Sequence, residues 1–242
     1  MWRAILVTTL LGATLWGCAA PGPQLGPPPQ PVLSTRPPRQ VPAIPPPEHP
    51  APAPPVVPSD QGLRGTTVVV DAGHGGKDPG ALGRGSVPEK VIVLDIAQQV
   101  AGLLGERGAN VVMTRSSDRF IELDSRAAMA ERARADLFVS IHADSAKRLS
   151  ASGITIYVSR NATAASRQAA QHVAAALKRA GFELRGVQTA GYRVLVGHSR
   201  PALLIECGFV SNRTEAQHLS TPSYRTRIAE AIAEGISAHL GR

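Results

Sequence analysis

Four side chains in this 242-residue sequence stand where chemistry would need them. His74 follows the run Thr66-Thr67-Val68-Val69-Val70 and sits within Asp71-Ala72-Gly73-His74-Gly75-Gly76. His142 closes a second apolar run, in Ser140-Ile141-His142-Ala143-Asp144. Glu206 lies inside Leu203-Leu204-Ile205-Glu206-Cys207-Gly208-Phe209, and Glu89 follows a glycine-rich loop at the head of an amphipathic stretch. A carboxylate in an apolar strand is costly unless it is paired or serves a metal or a proton. Two histidines and one carboxylate with a fourth position open are the ligand set of a catalytic zinc, which lowers the pKa of bound water to roughly 7. A further carboxylate outside that set can act as general base and then as proton donor to the leaving group. His74, Glu89 and His142 suit the first role and Glu206 the second. Each also has a plainer reading. Glu89 could be an acid at a helix N-terminus, His142 a core histidine, and Glu206 the partner of a buried arginine.

These residues can act together only if the elements carrying them converge. Thr66–Val70 is β-branched and reads as a buried strand. The glycines after it allow a sharp turn at the strand end where α/β proteins bind ligands. Lys77–Pro88 reads as a loop and Glu89–Arg107 as a helix stopped by Gly108. Strands follow at Asn110–Thr114, Asp136–Ile141, Gly153–Ser159, Tyr192–Val196 and Pro201–Cys207. Helices are expected at Glu122–Arg134, Ala164–Ala180, Thr214–Leu219 and Ser223–Leu240. This alternation predicts a single three-layer α/β domain: a mostly parallel sheet of about six strands with helices on both faces. Asp71 and Asp144 flank the histidines, either to orient the imidazoles or to form turns. His172, His198, His218 and His239 fall on helix faces or loops with no carboxylate at a strand end, and no role is assigned to them.

Composition divides the chain. Of its 21 prolines, 17 lie between Pro21 and Pro58. Residues 19–61 therefore read as a Pro-rich tether that cannot build a core but can extend to roughly 120 Å, and 62–242 as the catalytic domain. The formal net charge is +8, of which +6 belongs to residues 59–242. A basic domain suits an anionic partner. With only 4% aromatic residues, base-stacking platforms are not expected and nucleic acid is not a predicted ligand. Met1-Trp2-Arg3 and the apolar run Ala4–Gly17 form a secretory leader too short to span a bilayer, which needs ~20 residues. Leu15-Trp16-Gly17-Cys18 resembles a bacterial lipobox. Residues 1–18 are then a lipoprotein-type signal peptide, and Cys18 a lipidated anchor. Ala19 points to the periplasmic side of the outer membrane; the alternative is an ordinary cleaved signal and a soluble secreted or periplasmic protein. No disulfide is expected between Cys18 and Cys207.

The stretch Val70–Ala81 closely resembles the opening motif of the zinc-dependent N-acetylmuramoyl-L-alanine amidases of the amidase-3 family. Pro88-Glu89-Lys90, Ser140–Asp144 and Pro201–Asn212 fit further motifs of that family in the same order. The resemblance covers about residues 66 to 240. It implies Zn2+ held by His74, Glu89 and His142, with Glu206 as the catalytic carboxylate. The implied substrate is peptidoglycan, cut at the amide between N-acetylmuramic acid and the L-alanine of the stem peptide. A monomer is expected. Division amidases of the family often carry a long insertion whose helix blocks the zinc until a partner removes it. Here Ser159 is followed almost at once by the helix at Ala164, which leaves no room for that insertion, although an activator protein is not excluded. Two rivals differ in class: a zinc hydrolase acting on another bond of the same polymer, and a non-catalytic wall-binding lipoprotein.

Overall fold

The computed structural model describes residues 62–83 and 87–241. The expected signal peptide, Cys18 and the expected tether lie outside the described residues. In chain order the elements are β1 (Thr67–Ala72), α1 (Glu89–Glu106), β2 (Asn110–Met113), α2 (Leu123–Arg132), β3 (Leu137–Asp144), β4 (Ile154–Ser159), α3 (Ala164–Arg179), β5 (Leu184–Ala190), α4 (Arg193–Val196), β6 (Ala202–Phe209), α5 (Arg213–Ser220) and α6 (Pro222–Leu240).

The strands form one sheet in the order β2-β1-β3-β6-β4-β5. β1 pairs in parallel with β2 and β3, and β3 with β6, whereas β4 runs antiparallel to β6 and parallel to β5. The α/β class, the six strands and the mostly parallel sheet are as expected. Side chains alternate between two cores, as the strand period of two requires. Val68, Val70, Val139, Ile141, Leu203 and Ile205 join one core with residues of α1, α3 and α6. Val69, Phe138 and Leu204 point the other way, to Ala130 of α2 and to Val194 and Leu195 of α4. Asp71, Ser140, His142 and Glu206 share the parity of this second face. The β-branched run of β1 is thus covered on both sides, which is why it carries no polar residue before Asp71.

Local chemistry fixes the helix starts. The Thr163 side chain accepts a hydrogen bond from the Ser166 N–H at the head of α3, and Asn212 accepts from Thr214 and Glu215 at the head of α5. Pro222 opens α6, where its missing N–H has no cost. In α6, Gly235 lies against the backbone of Val173 in α3, so that any Cβ there would overlap it.

The structure differs from expectation at one segment. Tyr192–Val196 is not a strand: Arg193–Val196 form a short helix, and the strand lies upstream at Leu184–Ala190. β5 is an edge strand, mostly exposed, with Gly186 in its middle. It needs no apolar face and shows none. Val194 and Leu195 supplied the apolar signal downstream, but both are buried from a helical turn.

Candidate active site

The site lies on the second face of the sheet, at the carboxyl ends of β1, β3 and β6. β1 ends in a tight turn: His74 has φ 57°, and Gly75 and Gly76 also have positive φ. A non-glycine residue in that region is uncommon and is held by its surroundings. Two buried arginines hold this one. Arg126 donates from Nη1 to Asp71 Oδ1 at 2.8 Å and to the Ala72 carbonyl at 2.5 Å, and from Nη2 to the His74 carbonyl at 2.6 Å. Arg115 donates to the carbonyls of Ala72 at 2.9 Å and Gly73 at 2.6 Å. Asp71 also accepts from Thr114 Oγ1 at 2.7 Å and from Ser140 Oγ at 2.6 Å. It neither orients a histidine nor simply forms a turn. It is the counter-charge that lets Arg126 be buried. Among the described residues the buried arginines serve β1 rather than Glu206.

His74, Glu89 and His142 come together at this turn. Glu89 Oε1 lies 3.0 Å from His74 Nε2 and 3.3 Å from His142 Nδ1, and the two ring nitrogens are 3.2 Å apart. Glu89 reaches the site from the first residue of α1 and is pinned by backbone: Oε1 accepts from the Ala143 N–H at 3.0 Å and Oε2 from the Ala81 N–H at 2.7 Å. Two glycines make room. A Cβ at Gly73 would collide with the His142 ring, and one at Gly80 would meet both the Glu89 side chain and His74 Cδ2 at 2.8 Å. Asp78 Oδ2 lies 2.8 Å from His74 Nδ1, which directs Nε2 towards Glu89 and His142. Asp78 thus does for His74 what the sequence suggested of Asp71. The signal was its spacing, four residues on across a turn that bridges Gly75 and Asp78. Asp144 accepts from its neighbour Ser145 N–H at 2.6 Å and contacts no imidazole through a hydrogen bond.

Electrostatics mark the same residues. Burial pushes the Glu89 carboxyl up, but the hydrogen bonds and charges of His142 and His74 bring it down to about 2. For His74 burial lowers the pKa, and the contacts with Glu89 and Asp78 outweigh it and raise it. Glu206 goes the other way: burial raises its pKa well above the usual carboxylate range, and Asp144 and Glu89 add to the effect. It sits beside His142 in the β3–β6 register and opposite Thr155 of β4. The register slips just beyond it, where Gly208 has φ 134°. Such a bulge re-aims the side chain next to it. Glu206 Oε2 has no hydrogen-bond partner among the described residues. All four side chains line one cavity of about 610 Å³.

Three nitrogen and oxygen donors converge on one point, and a buried carboxyl beside them lacks a partner. The donor spacing suits a metal: ligands about 2.0–2.1 Å from a tetrahedral zinc lie about 3.3 Å from each other, close to the three separations here. The four remaining histidines of the described region stay away. His198 packs on Phe138 with ring centroids 5.0 Å apart, and His218 on Tyr224 at 5.0 Å. His172 and His239 face each other at 5.8 Å, between α3 and α6.

Residues 68–238 match the family model described as N-acetylmuramoyl-L-alanine amidase, amidase-3. The chain belongs to that family. Among relatives of this amidase, LytC of Bacillus subtilis is 38% identical over 176 residues, covering 71% of this chain but 35% of LytC. AmiA of Escherichia coli is 33% identical over 218 residues, covering 72% of this chain and 75% of AmiA. The solved structure of the N-acetylmuramoyl-L-alanine amidase AmiC2 of Nostoc punctiforme superposes with a TM-score of 0.67 at 37% identity, covering 73% of this chain and 98% of that one. The amidase is an enzyme of peptidoglycan hydrolysis, as the ordered motifs implied. Its described part contains no helix long and apolar enough to cross a membrane.

Proposed function

We propose that this amidase hydrolyses the amide between N-acetylmuramic acid and L-alanine with a zinc ion held by His74 Nε2, His142 Nδ1 and Glu89 Oε1, and with Glu206 as the proton-transferring carboxylate. The convergence of the three donor atoms beside an unpartnered buried carboxyl carries this reading. Bound there, zinc would supply Lewis acidity and lower the pKa of water to roughly 7. The chain supplies the rest. Asp78 fixes the His74 ring, and the Ala81 and Ala143 N–H groups fix Glu89, so the ligands are in place before a substrate arrives. Glu206 takes a proton from the attacking water and hands it to the departing amine, which leaves as the N-terminus of the peptide. Its pKa, raised by burial, brings it closer to the pH at which a carboxyl can both accept and release a proton.

The site is open to substrate without a plug. β4 ends at Ser159 and α3 starts at Ala164, joined by residues 160–163. The AmiA alignment uses 218 positions but only 72% of this 242-residue chain, so AmiA carries extra length. We take the anchor to be Cys18, with the tether holding the domain off the outer membrane on its periplasmic side. The test is digestion of purified sacculi by the full chain, with and without chelator, followed by mass spectrometry of the new ends. Intact glycan plus peptides starting with free L-alanine is the expected result. Cleavage of another bond would favour the rival hydrolase, and binding without release the wall-binding protein. Retention of the protein in detergent-soluble membranes, lost in Cys18→Ser, checks the anchor.

A further inference from the structure

The cavity lining also offers a cation that the hydrolytic step does not use. Among the described lining residues six are acidic: Asp71, Asp78, Glu89, Glu122, Asp144 and Glu206. Two are arginines, Arg126 and Arg193, and no lysine joins them. Arg126 is fully committed: it is 2% exposed, and its guanidinium bonds Asp71 and the carbonyls of Ala72, His74 and Ile121. Arg193 is not. Its side chain is 55% exposed and its recorded bond runs from Nε to Asp124, itself 69% exposed. Nη1 and Nη2 are left without an acceptor among the described residues.

The backbone that carries Arg193 is nonetheless fixed. It opens α4, whose next two residues, Val194 and Leu195, are buried at 4% and 3% exposure. Tyr192 before it stands edge-on to Tyr157 with ring centroids 5.2 Å apart. Asp124 then steadies the guanidinium through Nε. A planar fork with two free N–H groups, on a rigid base and facing a cavity, is matched to a carboxylate.

The substrate has one such group in the right place. In the muramyl-peptide bond the lactyl carboxyl is consumed in the amide, so the glycan side offers no anion there. On the peptide side, the residue after L-alanine is joined through its side-chain carboxyl and keeps a free α-carboxylate. A cavity of this size is about 10 Å across, and a peptide advances about 3.3–3.6 Å per residue. A carboxylate one residue beyond the L-alanine therefore stays within the span of the cavity that Arg193 lines.

We propose that Arg193 binds the free carboxylate of the second stem residue through Nη1 and Nη2, and so selects stems that carry the acid over stems that carry the carboxamide. This rests on the amidase reading above. The test uses the zinc-loaded full chain and two synthetic muramyl peptides that differ only in acid or carboxamide at the second residue. The wild type should favour the acid by about tenfold in kcat/KM, mostly through KM. In Arg193→Gln the ratio should fall towards one, and Arg193→Lys should keep part of it. An unchanged ratio in Arg193→Gln, or a wild type without preference, would overturn the proposal. A wild type that cleaves neither peptide, with or without added zinc, would instead overturn the amidase reading itself.

Discussion

Glu206 is held where an ionised carboxylate is least stable: 8% exposed, with one oxygen unpaired and two acids nearby. Its folded-state pKa lies above that of the unfolded chain. The native state therefore binds more protons between those two values, and stability is greatest below the unfolded pKa and falls as pH rises through the folded one. Metal-free protein should accordingly melt at lower temperature as pH is raised from about 4.5 towards neutrality. Glu206→Gln removes the charge and should flatten that slope, stabilising the metal-free protein at pH 7 by roughly 1–3 kcal/mol. The same substitution should lower peptide release by about 10²–10⁴-fold while zinc still binds. Melts across pH, with zinc titration and release assays on the same preparations, check both arms. Asp78 is the next residue to test. Asp78→Asn leaves the three ligands in place but weakens the hold on His74 Nδ1, and zinc affinity should fall by about 10–100-fold in competition with a chelating dye.

At the scale of elements, the turn after β1 depends on arginines that come from α2 and from the segment just after β2. Removing Arg126 leaves Asp71 buried at 0% exposure without its counter-charge, and it also leaves the Ala72 and His74 carbonyls short of a donor. Arg126→Ala should cost about 3–5 kcal/mol in denaturant melts. Arg193→Ala, at an exposed ion pair screened by solvent, should leave the denaturant midpoint close to that of the wild type. The two buried arginines also mark what the sequence hid. Arg115 follows β2 in Thr-Arg-Ser, and Arg126 sits in an alanine-rich helix among charges, so each reads as a surface residue; only the third dimension shows the backbone carbonyls and the Asp71 carboxylate that accept from them. The four residues that meet at the cavity were legible as candidates because each breaks an apolar or glycine-rich pattern. β5 was not, because an exposed edge strand with a central glycine breaks no pattern at all. The α4 segment misled because two apolar residues in sequence suit a strand and a helical turn equally.

Across the whole domain, the proposed ligands are held by the protein's own bonds. Chelation should leave far-UV circular dichroism unchanged and the melt cooperative, lowered only by the binding energy that zinc contributes through mass action; loss of the fold on chelation would contradict this. The layered architecture was readable from the alternation of strands and helices, since burial on both faces leaves a signature in β1 and β3. The reversal of β4 and β5 was not, because strand direction depends on how connections route and not on any residue type. One consequence of that routing concerns inheritance. The proposed hydrolytic groups come from residues 74–142 and from Glu206, whereas Tyr192 and the first residues of α4 line the same cavity and supply none of the proposed reacting atoms. Exchange of the stretch from Leu184 to Arg200 between relatives would then pass on a preference for one kind of cell wall while the cutting chemistry stays with the recipient.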